Sequence, residues 1–118
     1  MGFSFPKEEK LKSRKLIEQL FAEGESFKKF PVKMLFLEID SLPKTQAAFS
    51  VPKRNFKLAV SRNRIKRQLR EAYRLHKLDI IHNNGKKFAL LFLYLGKEKT
   101  TYVEIERSLQ SLLKKLPV

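Results

Sequence analysis

Residues 61–77 constrain this chain more than any other stretch. Ile65, Leu69, Ala72, Tyr73 and His76 recur three and four residues apart, which predicts a helix with one buried face. Ser61 is suited to cap it, because its hydroxyl can accept from a free backbone N–H of the first turn. At roughly 100° per residue, Lys66, Lys77, Arg70, Asn63, Arg74 and Arg67 fall on an adjoining arc about 100° wide. Such a helix must pack on one side and face water or an anion on the next.

The placement of charge is unusual. A helix beginning at Ser61 puts Arg62 and Arg64 in its first turn, where the dipole is positive and disfavours cations by about 0.3–1 kcal/mol each. The free N–H groups of a first turn suit an anion, and arginines added there make a phosphate site. Seven cations (Arg62, Arg64, Lys66, Arg67, Arg70, Arg74 and Lys77) face only Glu71, leaving +6 on the helix. With Lys53, Arg54 and Lys57, residues 53–77 carry +9 of the chain's +14. A solvated face of mixed Lys and Glu needs no partner. This face is unmixed and rich in Arg, whose planar fork binds phosphate oxygens in pairs. A polyanionic partner follows, and nucleic acid is favoured. A membrane-surface helix would need an exposed apolar face, and here the apolar face is accounted for as core.

With 118 residues, 42% of them hydrophobic, the chain is expected to form one domain around a modest core. It has no cysteine, so disulfides and thiolate metal sites are excluded, as suits a cytoplasmic protein. Its longest apolar run, residues 88–95, is too short to span a bilayer. Residues 1–10 are expected to be a flexible basic arm without the apolar core of a signal peptide.

In chain order, Ser13 is predicted to cap a first helix whose Leu16, Ile17, Leu20 and Phe21 pair at helical spacing, with Gly24 after its end. Residues 25–31 read as a connector ending in Pro31. Residues 32–39 read as a strand with Val32, Met34 and Phe36 on one face and Leu35, Leu37 and Ile39 on the other. A turn over 40–45 leads to a second strand, 46–51, expected antiparallel to the first because the link is short. Its Ala48 and Ser50 alternate with Ala47, Phe49 and Val51, leaving one face of small residues that something could approach closely, although core packing accounts for them equally well. Residues 53–57 form a basic loop, and 58–60 read as a short third strand. After the basic helix, residues 79–84 wind down into a turn at Asn83-Asn84-Gly85. The apolar run 88–95 suits a central strand covered on both faces. Thr101 and Glu104 form a capping box ahead of a helix striped by Ile105, Leu109, Leu112, Leu113 and Leu116. The fold class expected is α+β, a single-domain αβββαβα sandwich with a small mixed sheet.

Catalytic groups are sparse. His76 sits on the apolar face and reads as packed; His82 lies near a turn. Two histidines cannot form a multi-His metal site, no Ser/His/Asp spacing occurs, and four glycines include no phosphate loop. The chain by itself reads as a binder.

Ser61-Arg62-Asn63-Arg64-Ile65-Lys66-Arg67-Gln68-Leu69-Arg70-Glu71-Ala72-Tyr73-Arg74 resembles the signature of the bacterial ribonuclease P protein component. The core of the likeness is Arg62-Asn63-Arg64, followed by Lys66-Arg67, then Arg70-Glu71 and the aromatic Tyr73. Phe49-Ser50-Val51-Pro52-Lys53-Arg54 resembles the strand and basic pair that precede it in that family. Residues 11–24 resemble its first helix, and the likeness spans about residues 10–116. In that family an RNA is the catalyst and the protein its cofactor. The resemblance therefore implies a non-catalytic subunit that binds the P RNA and the 5′ leader of precursor tRNA, supporting removal of the leader. It implies a rare left-handed βαβ crossover, and Mg2+ held mainly by the RNA. It implies no small-molecule substrate. By position, Lys53, Arg54, Arg62, Asn63, Arg64, Lys66, Arg67, Arg70 and Arg74 would bind RNA. Ile17, Phe21, Leu35 and Phe49 would line a cleft for the leader. Ile17 stands where that family often has an aromatic, and Leu35 near a position where tyrosine is common. That implies a cleft relying less on stacking and more on apolar contact and charge. The other readings are a general or ribosome-associated RNA-binding module, and more weakly a DNA binder reading the major groove.

Overall fold

The computed structural model describes residues 7–81 and 86–116, with the side chains of 78–81 left aside. Its main elements are α1 (Arg14–Glu23), β1 (Glu25–Lys29), β2 (Val32–Glu38), β3 (Gln46–Ser50), α2 (Ala59–Ile81), β4 (Phe88–Tyr94) and α3 (Tyr102–Lys114). The αβββαβα order stands, but its members differ from expectation in two places.

Residues 25–29 are a strand, not a connector. Phe27 is its one inward apolar residue, stacked on Phe36 with ring centroids 5.4 Å apart. Charged and polar neighbours hide so short an edge strand from any periodicity. Residues 58–60 are not a strand: α2 already begins at Ala59. Leu58 and Val60, read as strand residues, are 71% and 79% exposed, so apolar identity there did not mean burial. Ser61 consequently lies inside the helix instead of capping it. The helix also runs past Lys77 to Ile81, and the turn expected at 83–85 lies outside the described residues, as does His82.

The four strands form one sheet in the order β1-β2-β4-β3. β2 pairs antiparallel with both β1 and β4, and β3 pairs parallel with β4. β3 therefore runs opposite to β2 as expected, but not beside it. β4 is inserted between them, reached from β3 through α2. This is why β4 carries the most apolar run in the chain: it is central and covered on both faces.

One face of the sheet presents Val32, Met34, Phe36, Ala47, Phe88, Leu90, Phe92 and Tyr94. Ile65, Leu69, Ala72 and Tyr73 of α2 pack there, beside the predicted stripe of α3 (Ile105, Leu109, Leu112, Leu113), with Leu116 just beyond. The opposite face, with Leu35, Ala89 and Leu91, makes a smaller layer with Leu20 of α1, Leu11 and Leu42.

The caps of α1 and α3 follow the sequence closely. Ser13 Oγ accepts from Leu16 N at 3.2 Å, and Thr101 Oγ1 accepts from Glu104 N at 3.3 Å. The α3 capping box is only half closed, because the Glu104 carboxylate accepts from Thr100 Oγ1. Gly24 ends α1 for reasons of space, since its φ is −69°. A Cβ there would lie 2.5 Å from the Leu20 carbonyl oxygen.

The expected arm is only partly outside the described residues. Residues 1–6 are, but Lys7–Glu9 forms a single 3-10 turn, and Lys10 bridges to Ala47. Leu11 N donates to Ala47 O at 2.9 Å, so this segment lines the outer edge of β3. Its Glu9 pairs with Lys77 of α2. A buried Leu11 and an almost buried ion pair hold in place what composition alone read as loose.

Candidate nucleic-acid interface

α2 is positioned by Ile65, Leu69, Ala72 and Tyr73, all fully buried against the sheet and α3. Burying side chains of this size contributes about 1.5–3 kcal/mol each for the larger ones, which fixes the helix's rotation. The opposite side faces solvent and bears the cations. From Arg64 through Arg67, Arg74 and Arg70 to Lys66 the cationic arc spans about 160° at the spacing of a helix.

The cations differ in what they already hold. Arg62 turns back on the preceding loop: its Nη1 donates to Phe56 O at 2.7 Å and to Lys57 O at 2.9 Å. Because the helix begins at Ala59, Arg62 closes the first turn and Arg64 stands in the second, not the first. Arg74 grips Glu71 with two bonds, Nε to Oε1 at 3.1 Å and Nη2 to Oε2 at 2.5 Å. That bond holds the Glu71 carboxyl below the usual carboxylate range and raises the Arg74 guanidinium correspondingly. Lys77 is 6% exposed and paired with Glu9. Three of the seven helix cations thus serve the protein's own structure. Among the described residues, Lys53, Arg54, Arg64, Lys66, Arg67 and Arg70 have no carboxylate partner, and Asn63 beside them is exposed.

The loop immediately before α2 carries Lys53 and Arg54, both exposed. Phe56, 8% exposed, anchors that loop by packing on Tyr94 at 5.8 Å between ring centroids. His76, expected to be packed, is half-buried and bonded through Nε2 to Glu106 Oε2 at 2.9 Å, which ties α2 to α3.

The four residues expected to share a cleft do not share one face. Ile17 and Leu35 belong to the layer under α1, and Phe21, 62% exposed, stands on the same helix one turn beyond Ile17. Phe49 points the other way. It is half-buried, stacking on Phe92 at 5.6 Å and meeting Tyr73 edge-on at 5.9 Å, against the main core. Strand alternation decides this: on β3 it is Ala48 and Ser50 that share the α1 side. The register sets Lys33 and Ser50 on either side of Leu93, and all three are half-buried. This row continues the face of Leu35 and Leu91. Lys33 and Leu93 were missed in the sequence; the small residues Ala48 and Ser50 were the only sign of an approachable strand.

Among the described residues no three His, Asp or Glu side chains gather as a metal site, and no helix is long and apolar enough to cross a membrane.

Comparison with known proteins agrees with this architecture. The family model described as Ribonuclease P matches residues 5–117. A ribonuclease P protein component from Porphyromonas gingivalis is 31% identical over 116 residues, covering 94% of this chain and 85% of that protein. Another, from Chlorobium phaeobacteroides, is 34% identical over 110 residues, covering 82% and 75%. The solved RNase P protein of Staphylococcus aureus superposes with a TM-score of 0.78 at 22% identity, over 93% of this chain and 96% of that one. That of Thermotoga maritima gives 0.78 at 24% identity, over 93% and 99%. Association with the RNase P RNA follows from the family match. The chain belongs to the ribonuclease P protein component family, the protein subunit of an endoribonuclease that acts in tRNA 5′ processing.

Proposed function

We propose that the chain holds the P RNA with the unpaired cations of α2 and its preceding loop: Lys53, Arg54, Arg64, Lys66, Arg67 and Arg70, with Asn63 among them. The observation that carries this is that, among the described residues, these cations of the helix and its preceding loop have no carboxylate partner, while the other side of the helix is fully buried. Arg62 and Arg74 belong to the interface as positioning residues, one fixing the loop and the other occupying Glu71. Precursor tRNA is the second partner. Its single-stranded leader lies on the sheet face under α1, with Ile17, Phe21 and Leu35 as apolar contacts and the Lys33–Leu93–Ser50 row beside them. Phe49 is left out of this surface, because its ring packs against the main core on the other face of the sheet.

Catalytic RNA and substrate are both polyanions, so bringing them together needs counter-charge. A protein of +14 supplies it and releases condensed counterions on binding. Fixed cations replace part of the ion atmosphere and lower the free magnesium required. The Mg2+ that the reaction needs is held by the RNA, and the protein works in the cytoplasm with both RNAs.

The test is reconstitution of the protein with a bacterial P RNA and precursor tRNA at low magnesium. The protein is expected to restore 5′ cleavage. Arg64→Ala and Arg67→Ala should each weaken P RNA binding more than Lys114→Ala and reduce the salt slope by about one ion. Equal losses from all three would replace a defined site with diffuse attraction. Failure to stimulate cleavage would leave a general RNA binder.

A further inference from the structure

On the α3 side of α2, Arg64, Arg67, Gln68 and Glu71 stand at i, i+3, i+4 and i+7, which is one helical face. Together with Tyr102, the first residue of α3, they line a shallow, open depression of about 330 Å3. That lies at the lower end of the range for small-molecule sites, about 300–1,000 Å3. A duplex backbone needs only a ridge of cations. A concavity with a ring and an amide beside the cations has the shape for a base as well.

The lining is specific in its chemistry. Arg64 and Arg67 have no carboxylate partner among the described residues. Gln68 offers a donor and an acceptor. Glu71 is the one acid, and Arg74 neutralises it through two bonds, so it does not repel a phosphate. The Tyr102 ring is half-buried and braced on the main core, which holds it still. Its hydroxyl is buried without a hydrogen-bond partner among the described residues. Buried polar groups are seldom left so.

We propose that this depression receives one unpaired nucleotide of the P RNA. Its phosphate lies against Arg64 and Arg67, its base lies along the Tyr102 ring, and Gln68 meets the base edge. Arg70 and Lys66, further round the same arc, hold the strand on leaving the depression. This rests on the P RNA-binding reading given above and adds a specific pocket to it.

The experiment uses the full chain and full-length P RNA. Affinity at fixed salt is measured for Gln68→Ala, Tyr102→Leu, Arg64→Ala and Lys114→Ala, alongside chemical probing of RNA base reactivity in each complex. Tyr102→Leu is expected to weaken binding about tenfold, the size of one lost base stack, and Gln68→Ala several-fold, the size of one lost hydrogen bond. Both should expose the same single unpaired nucleotide that the wild-type protein protects, while Lys114→Ala changes neither. If Tyr102→Leu does not fold, Gln68→Ala alone decides. Wild-type affinity and protection in Gln68→Ala and Tyr102→Leu, with affinity lost in Arg64→Ala, would overturn the pocket and leave the cationic interface standing. Wild-type affinity in all four would overturn the interface as well.

Discussion

The guanidinium of Arg62 donates from Nη1 to the carbonyl of Phe56 at 2.7 Å, joining the start of α2 to the loop before it. The same nitrogen also reaches Lys57 O, so one side chain closes the loop that carries Lys53 and Arg54. Arg62→Ala is expected to lower the unfolding free energy by about 1.5–3 kcal/mol, the scale for hydrogen bonds to a charged group. Arg64→Ala, whose side chain is exposed, should change it by no more than about 0.5 kcal/mol. Urea unfolding distinguishes them, and equal effects would show that Arg62 is not a structural residue.

Glu9 and Lys77 join the N-terminal turn to the far half of α2. Losing a hydrogen bond to a charged group typically costs about 1.5–3 kcal/mol. Glu9→Ala should approach that loss in thermal or urea unfolding. Glu8→Ala, whose pair with Lys44 is exposed and 4.0 Å long, should cost almost nothing. A small effect at Glu9 would mean that the segment along β3 is held by Leu11 and the backbone alone.

Phe21 and Phe49 test which face of the sheet meets the leader. Phe21→Ala should leave stability near wild type and P RNA affinity unchanged, while weakening the complex with leader-bearing precursor tRNA several-fold. Phe49→Ala should cost about 3 kcal/mol of stability, since its ring packs on Phe92 and Tyr73. Comparing substrates with and without a leader reads the first effect, and calorimetry the second. A leader-specific defect in a stably folded Phe49→Ala would reverse the assignment.

Tyr73 makes stability depend on alkaline pH. Burial, and to a smaller degree the Glu9 carboxylate, pushes its phenol far above the ordinary value. The folded state therefore keeps a proton that the unfolded chain loses near pH 10. Stability is complete below that pH and falls as pH rises above it, by at most about 1.4 kcal/mol per unit for this one group. Tyr73→Phe should flatten that decline in urea midpoints measured from pH 9 to 11. Tyr94 and Tyr102, raised mainly by burial, would leave a remainder. An unchanged slope in Tyr73→Phe would assign the decline to them.

Much of this protein was written locally. Caps at Ser13 and Thr101, the stripes of α1, α2 and α3, and the doubly covered strand at 88–94 each depend on residues within a turn or two of one another. The cationic character of α2 is of the same kind, because charge is a property of composition. Pairing was not local. Nothing in residues 46–50 says that β4, rather than β2, will lie beside them, since the loop from β2 to β3 is short enough for a hairpin. The same holds for Phe49: alternation put it opposite Ala48, but only the docking of α2 and α1 on different faces decided which side was core. The committed cations follow this rule as well. Arg62 and Lys77 read as free charges along the helix, and became structural only when a loop carbonyl and a carboxylate 68 residues away were brought to them. Short-range periodicity and charge are set by neighbours in the chain, whereas strand partners, facing and charge compensation are set by contacts that exist only once the chain has closed on itself.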